Sequence, residues 1–123
     1  MRFTLLIIVL VVLLSSCVTS MTPSQFRESF PQATASRFYE RPAATAAMTA
    51  GECRLLVGNR KYVAPIGFTV QGDVANGAIG VDEWVAADKG NAYSITNYEW
   101  ISVSIGSDYA TQLVLYFDTL SCD

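Results

Sequence analysis

Arg2 is followed by an uncharged, strongly apolar run at 3–14 (FTLLIIVLVVLL), then Ser15 and Ser16. A positively charged start, an apolar stretch of that length and small residues behind it describe a secretory signal peptide. A membrane-spanning helix needs about 20 apolar residues, and this run is too short to be one. It limits the fold by subtraction: the folding unit lies beyond it in the chain, and that unit matures in an oxidising compartment.

The ending Leu14-Ser15-Ser16-Cys17 resembles the lipobox of bacterial lipoproteins. The resemblance implies cleavage just before Cys17, a diacylglyceryl thioether on its sulfur, and acylation (palmitate in type) of the new amino terminus. Each buried CH₂ contributes about 0.8 kcal/mol, and two or more chains make a stable anchor. Val18, not an aspartate, follows the cysteine. By resemblance to Gram-negative sorting, that implies an outer-membrane protein facing the periplasm. Residues 1–16 are then the signal peptide, 17–24 a lipid-anchored tether, and 25–123 the periplasmic domain. With Cys17 lipidated, Cys53 and Cys122 remain, and an even pair in an oxidising periplasm reads as a disulfide. The blander alternative is two unrelated buried thiols.

The mature chain holds one domain's worth of residues, enough to bury a core without metal. The full chain has 8 basic and 11 acidic side chains, and Arg2 leaves with the signal peptide. The acidic balance, with no basic cluster beyond Arg60-Lys61, argues against nucleic acid and against a polybasic lipid patch. The chain has no histidine. That removes the commonest general base, the commonest metal ligand, and the Ser-His and Cys-His nucleophile pairs.

Along the mature chain, Thr22 suits an N-cap with Pro23 at N1. Phe26 and Phe30 then share one helix face, and Pro31 ends the helix. Residues 37–40 read as a short strand. Pro42 opens an alanine-rich helix at 42–50, and Gly51 closes it. Residues 53–57 read as a strand, Gly58-Asn59 as a turn, and 61–70 as a strand broken by Pro65. Over 81–101 the favoured reading is a hairpin turning at 88–91. The alternative is a helix, since Val74, Ala78, Val81 and Val85 keep helical spacing with Gly90 as its αL cap, at a cost of about 1 kcal/mol for each internal glycine. Residues 107–122 are ambiguous. Leu113 to Phe117 suit a strand, but Tyr109, Leu113, Tyr116, Phe117 and Leu120 fall at helical spacing behind Ser107 as an N-cap, which tips the reading to helix. The expected fold is a small single α+β domain: an antiparallel sheet of about four strands packed with one or two helices.

The mature chain also resembles a group of small proteobacterial envelope lipoproteins with no assigned activity. The resemblance rests on the 21–27 stretch after the lipidated cysteine, Arg41-Pro42 opening a helix, Cys53 starting the next strand, residues 84–95, and Cys122 near the end. It implies a strand, a helix, an antiparallel meander and a C-terminal helix. A second resemblance, to envelope-stress sensor lipoproteins with a β-α-β-β core, implies instead that 74–89 is helical. Neither brings catalytic residues with it.

No residue set points to a reaction. Asp82 and Glu83 face opposite ways on a strand. Asp73, Asp82 and Asp88 lack calcium-loop spacing. The stretch 72–80 lacks the lysine of a phosphate loop. Neither catalytic, cofactor nor metal residues are expected. If Val81, Val85 and Ala87 line one strand face, Trp84 lies on the other. With Tyr98 and Trp100 it would form a partner-binding surface; the bland reading is that a helix or loop covers it. This leaves two functional classes: a non-catalytic interaction or structural module with an envelope protein partner, and a periplasmic carrier of a lipid or small apolar ligand. Alanines on the packed helix argue that the sheet–helix space is filled, which favours the module.

Overall fold

The computed structural model describes residues 20–123; the apolar run and Cys17 lie outside them. Three helices and four strands run in the order α1 (Pro23–Ala33), β1 (Arg37–Phe38), α2 (Arg41–Thr49), β2 (Cys53–Val63), α3 (Val70–Ala87), β3 (Ala92–Ile105) and β4 (Asp108–Cys122). The strands form one sheet in the order β1-β3-β4-β2. β4 pairs antiparallel with β2 and β3, and β1 pairs parallel with β3. The chain is a small single-domain α+β fold, with a mixed sheet rather than a purely antiparallel one. No helix among the described residues is long and apolar enough to cross a membrane.

β4 is the middle of the sheet, and its side chains alternate between two cores. Leu113, Leu115 and Phe117 face α1 and α3, together with Phe26, Phe30, Val74, Ala78, Val81, Val85 and Tyr93. Leu120 and Cys122 face the opposite side, with Ala92, Cys53 and the α2 alanines Ala44 and Ala47. Burial on both faces explains why the tail is a strand where helical spacing suggested a helix. Where a strand is covered on both sides it becomes a continuous apolar run, here 113–117, and its alternation is lost, so its periodicity is mute. The turn residues carried the signal instead. Ile105 pairs with Asp108 across Gly106-Ser107. Gly106 has φ +60°, the left-handed first position that a tight hairpin turn of this kind requires. Ser107 is a turn residue, not an N-cap.

The first arm of the hairpin expected over 81–101 is likewise replaced by α3, while its return arm is present as β3. Thr69 caps it, its hydroxyl accepting from the Gly72 N–H, and Asp73 in the first turn complements the helix dipole. The internal glycines, whose propensity cost counts against a helix, are sites of close packing. A Cβ on Gly77 would lie 3.0 Å from a Leu115 methyl, and one on Gly80 would enter the Tyr62 ring. The helix ends in a Schellman motif, Gly90 N–H to Val85 C=O and Lys89 N–H to Ala86 C=O. The αL residue is Lys89, at φ +62°, and not Gly90. Gly90 is needed for space, because a Cβ there would sit 2.7 Å from the Leu120 carbonyl oxygen.

The other elements keep close to the sequence pattern. Thr22 and Gln25 form a capping box at the start of α1. Pro31 does not end that helix; it lies inside it, leaving the Arg27 carbonyl without its usual i+4 donor. Gly58-Asn59 is not a turn but part of an irregularity within β2, between Val57 and Arg60. There Asn59 takes φ +54° and its N–H donates to Asp118. β2 ends at Val63, before Pro65.

The Cys53–Cys122 disulfide is present, joining residues directly opposite each other at the ends of β2 and β4 with Cα atoms 4.1 Å apart. It closes a separation of 69 residues, worth about 4 kcal/mol in the chain-entropy model. Replacing both cysteines by serine is expected to lower the unfolding free energy in urea by about that amount. A loss under about 1 kcal/mol would mean that the two strand ends hold together without it.

Candidate functional site

The three aromatic residues expected to share a surface do not. Trp84 lies on α3, half-buried, with its ring 5.2 Å from that of Tyr62 and 6.1 Å from that of Phe117. Tyr98 and Trp100 lie on β3, on the sheet face that α1 and α3 cover. The Trp100 indole N–H is buried and finds no acceptor among the described residues. Of the three, Tyr98 lines the cleft described below. The Trp84 expectation failed with the strand it was placed on.

Trp84 instead holds an ion pair. The Arg60 guanidinium sits 5.0 Å from the Trp84 ring centre and donates to both oxygens of Asp88. Thr119 donates a third hydrogen bond to Asp88 at 2.8 Å. The Asp88 side chain is only 6% exposed, so this cluster clamps the end of α3 to β2 and β4. The Arg60 hydrogen bond holds the Asp88 carboxyl below its ordinary range against the opposing effect of burial, and the same bond raises Arg60. The other acidic candidates have separate duties. Asp82 is on α3, not a strand, and accepts the N–H groups of Ala35 and Ser36 at 2.8 and 2.9 Å. Asp73 accepts from the Gly67 N–H and the Thr111 hydroxyl. Among the described residues, no three His, Cys, Asp or Glu side chains come together as a metal site would need.

A cleft of about 390 Å³ opens between α1, the β1–α2 junction and the beginning of β3. The sheet–helix space is therefore not filled at this end. Its walls are Phe26, Phe30, Phe38, Ile95 and Tyr98, and the exposed side chains Arg27, Glu40, Arg41 and Asn97 stand around it. The aromatic walls brace one another. The Tyr98 ring stacks on Phe26 at 4.0 Å, Phe26 on Phe30 at 5.1 Å, and Phe30 and Phe38 both contact Tyr93. Tyr93 is fully buried, with its hydroxyl 2.8 Å from that of Thr34. Burial pushes its phenol up to about 12. Arg41 is fixed by a 2.8 Å ion pair with Asp118.

Two local features make the cleft. Arg41-Pro42 starts α2 directly behind β1, so β1 covers only Ala92 and Tyr93 of the 14 residues of β3. A bulge then sets the register back between Ile95 and Asn97, where the strand borders the cleft; bulges re-aim side chains at such places. The Phe26–Phe30 face was legible in the sequence. The cleft was not, because three separate segments supply its walls.

No protein-family model, curated protein or solved structure matches the chain.

The clamp yields a pH prediction. The Asp88 carboxyl titrates lower in the folded than in the unfolded chain. Its contribution is therefore complete above about pH 4 and is lost as pH falls through the folded value. Asp88→Asn is expected to cost about 2 kcal/mol at pH 7, the worth of hydrogen bonds to a charged group. The cost should shrink toward pH 2. Urea titrations of both proteins at several pH values check this, and a pH-independent difference would contradict it.

Proposed function

We propose that this chain is a lipid-anchored bacterial envelope protein that works without catalysis, by holding a partner protein in the cleft beside α1. The observation that carries the reading is the cleft itself, aromatic-walled and bordering a strand edge that β1 leaves uncovered. Its aromatic walls with exposed polar residues at the mouth have the composition of a protein-binding pocket. The lipobox-like sequence ending at Cys17 supports the anchor, and Val18 supports the outer membrane. Cys17 precedes Phe26 by nine residues, so the cleft stays within about 32 Å of the anchored sulfur.

The volume favours a second reading. A space of about 390 Å³ lies within the range of small-molecule pockets, roughly 300 to 1,000 Å³, and an apolar ligand carrier would use it. The exposed mouth weighs against that. Pockets of that kind bury most of the ligand surface, whereas a side chain presented by another protein needs only its tip enclosed.

Crosslinking in intact cells separates the two. A photoreactive residue at Asn97, at the cleft, is compared with one at Tyr109, at the exposed tip of the β3–β4 hairpin. The expected result is one defined envelope protein captured from Asn97 and not from Tyr109, on a chain whose Cys17 carries acyl mass. Capture of lipid alone from Asn97 would overturn the module in favour of the carrier. A Cys17 without acyl mass would remove the anchor.

A further inference from the structure

Resting on the cleft reading above, we propose that the partner binds as an added β-strand: an extended peptide segment lies along the outer edge of β3 and places a bulky apolar side chain in the cleft. β1 occupies only the first two positions of that edge. Beyond Tyr93, the side of β3 turned away from β4 has no backbone partner among the described residues. An unpaired strand edge repeats N–H and C=O groups at the spacing of an extended backbone, and a peptide strand is the ligand that matches it. A lipid or small apolar molecule satisfies none of those groups.

The two edges of the sheet are built differently. The β2 edge carries Arg54, Arg60 and Lys61 and is broken by two irregularities, the devices that keep an edge from pairing. The β3 edge over 94–105 carries one bulge, between Ile95 and Asn97 beside the cleft, but has no proline or lysine and a single charge, Glu99. Its residues include Ile95, Thr96, Tyr98, Trp100, Ile101, Val103 and Ile105, types that favour strands. The cleft lies where this edge begins, just past the end of β1, with Ile95 and Tyr98 contributed by the edge strand itself. An incoming strand would therefore continue the line of β1 and meet the pocket beside its own backbone.

Glu99 argues for a different chain over a second copy. A copy paired antiparallel about the centre of this edge would set Glu99 opposite its own counterpart, and directly opposed like charges destabilise a strand pair. Glu99 pairs with Val114, on the sheet face opposite that of Ile95 and Tyr98. The segment that fits alternates: apolar side chains toward the cleft, and a basic one on the other face near Glu99.

The test uses the purified protein in lipid nanodiscs. The probe is a blocked octapeptide alternating lysine and valine, with one central valine replaced by phenylalanine. Binding is expected to slow hydrogen exchange of the outward amides of 94–105. N-methylation of alternate peptide nitrogens on the edge-facing side is expected to weaken binding about tenfold or more, since each lost hydrogen bond is worth about a few-fold in affinity. Phe38→Ala is expected to weaken it as well. Binding indifferent to N-methylation, with protection confined to α1 and the β1–α2 junction, would overturn strand addition and leave the cleft reading standing. No binding at millimolar peptide would overturn strand addition too, with the Asn97 crosslink still deciding the cleft. Sedimentation showing a dimer that protects the same amides without peptide would assign the edge to a second copy.

Discussion

The rest of the structure depends on β4 being paired on both sides over 114–120 and covered on both faces there. Its Leu113, Leu115 and Phe117 anchor α1 and α3, while Leu120 and Cys122 anchor α2. β2 is tied to it by the register from Cys53–Cys122 to Val63–Val114 and by the disulfide at one end. Thr119 and Asp118, in the same strand, reach the Asp88 clamp and Arg41. Core, staple and both polar clamps thus converge on one 15-residue segment. The outer edge of β3, one strand further out, is left largely unpaired.

That outer strand is where the fold leaves unused capacity. β3 is nearly as long as β4, but its other neighbour, β1, is two residues long. The cause is local. Proline at the start of α2 commits the chain to a helix, and Glu40 already has the extended geometry of its N-cap. With β1 cut short, α1 leans over Tyr98 and Ile95 without reaching across, and the cleft is the space that remains. The open edge and the pocket are two consequences of one early helix start.

The sequence was legible where the signal is local. The cap at Thr22, the alanine-rich helix after Arg41, the α+β class and the Cys53–Cys122 pair are all present in the structure. It was misleading where tertiary packing overrides local pattern. In α3, Gly77 and Gly80 carry a helix-propensity cost that is offset by close approach to Leu115, Leu113 and Tyr62. In β4, burial on both faces erased the alternation that marks a strand. Strand alternation over 81–87 places Trp84 on an outward surface. On a helix, the same residue is part of the packing around Arg60. The cleft needs Phe26, Phe38 and Ile95 to meet across 69 residues of sequence, and no pattern within one segment records such a meeting.

An open docking edge requires that the sheet end at β3. Residue-resolved hydrogen exchange on the protein without any peptide measures this directly. Amides of β4 over 114–120, and those of β3 that point to β4, should be among the slowest in the molecule, while the alternate β3 amides over 95–105 should exchange orders of magnitude faster. Uniformly slow exchange along β3 would show that something already pairs with this edge, and would contradict the central claim.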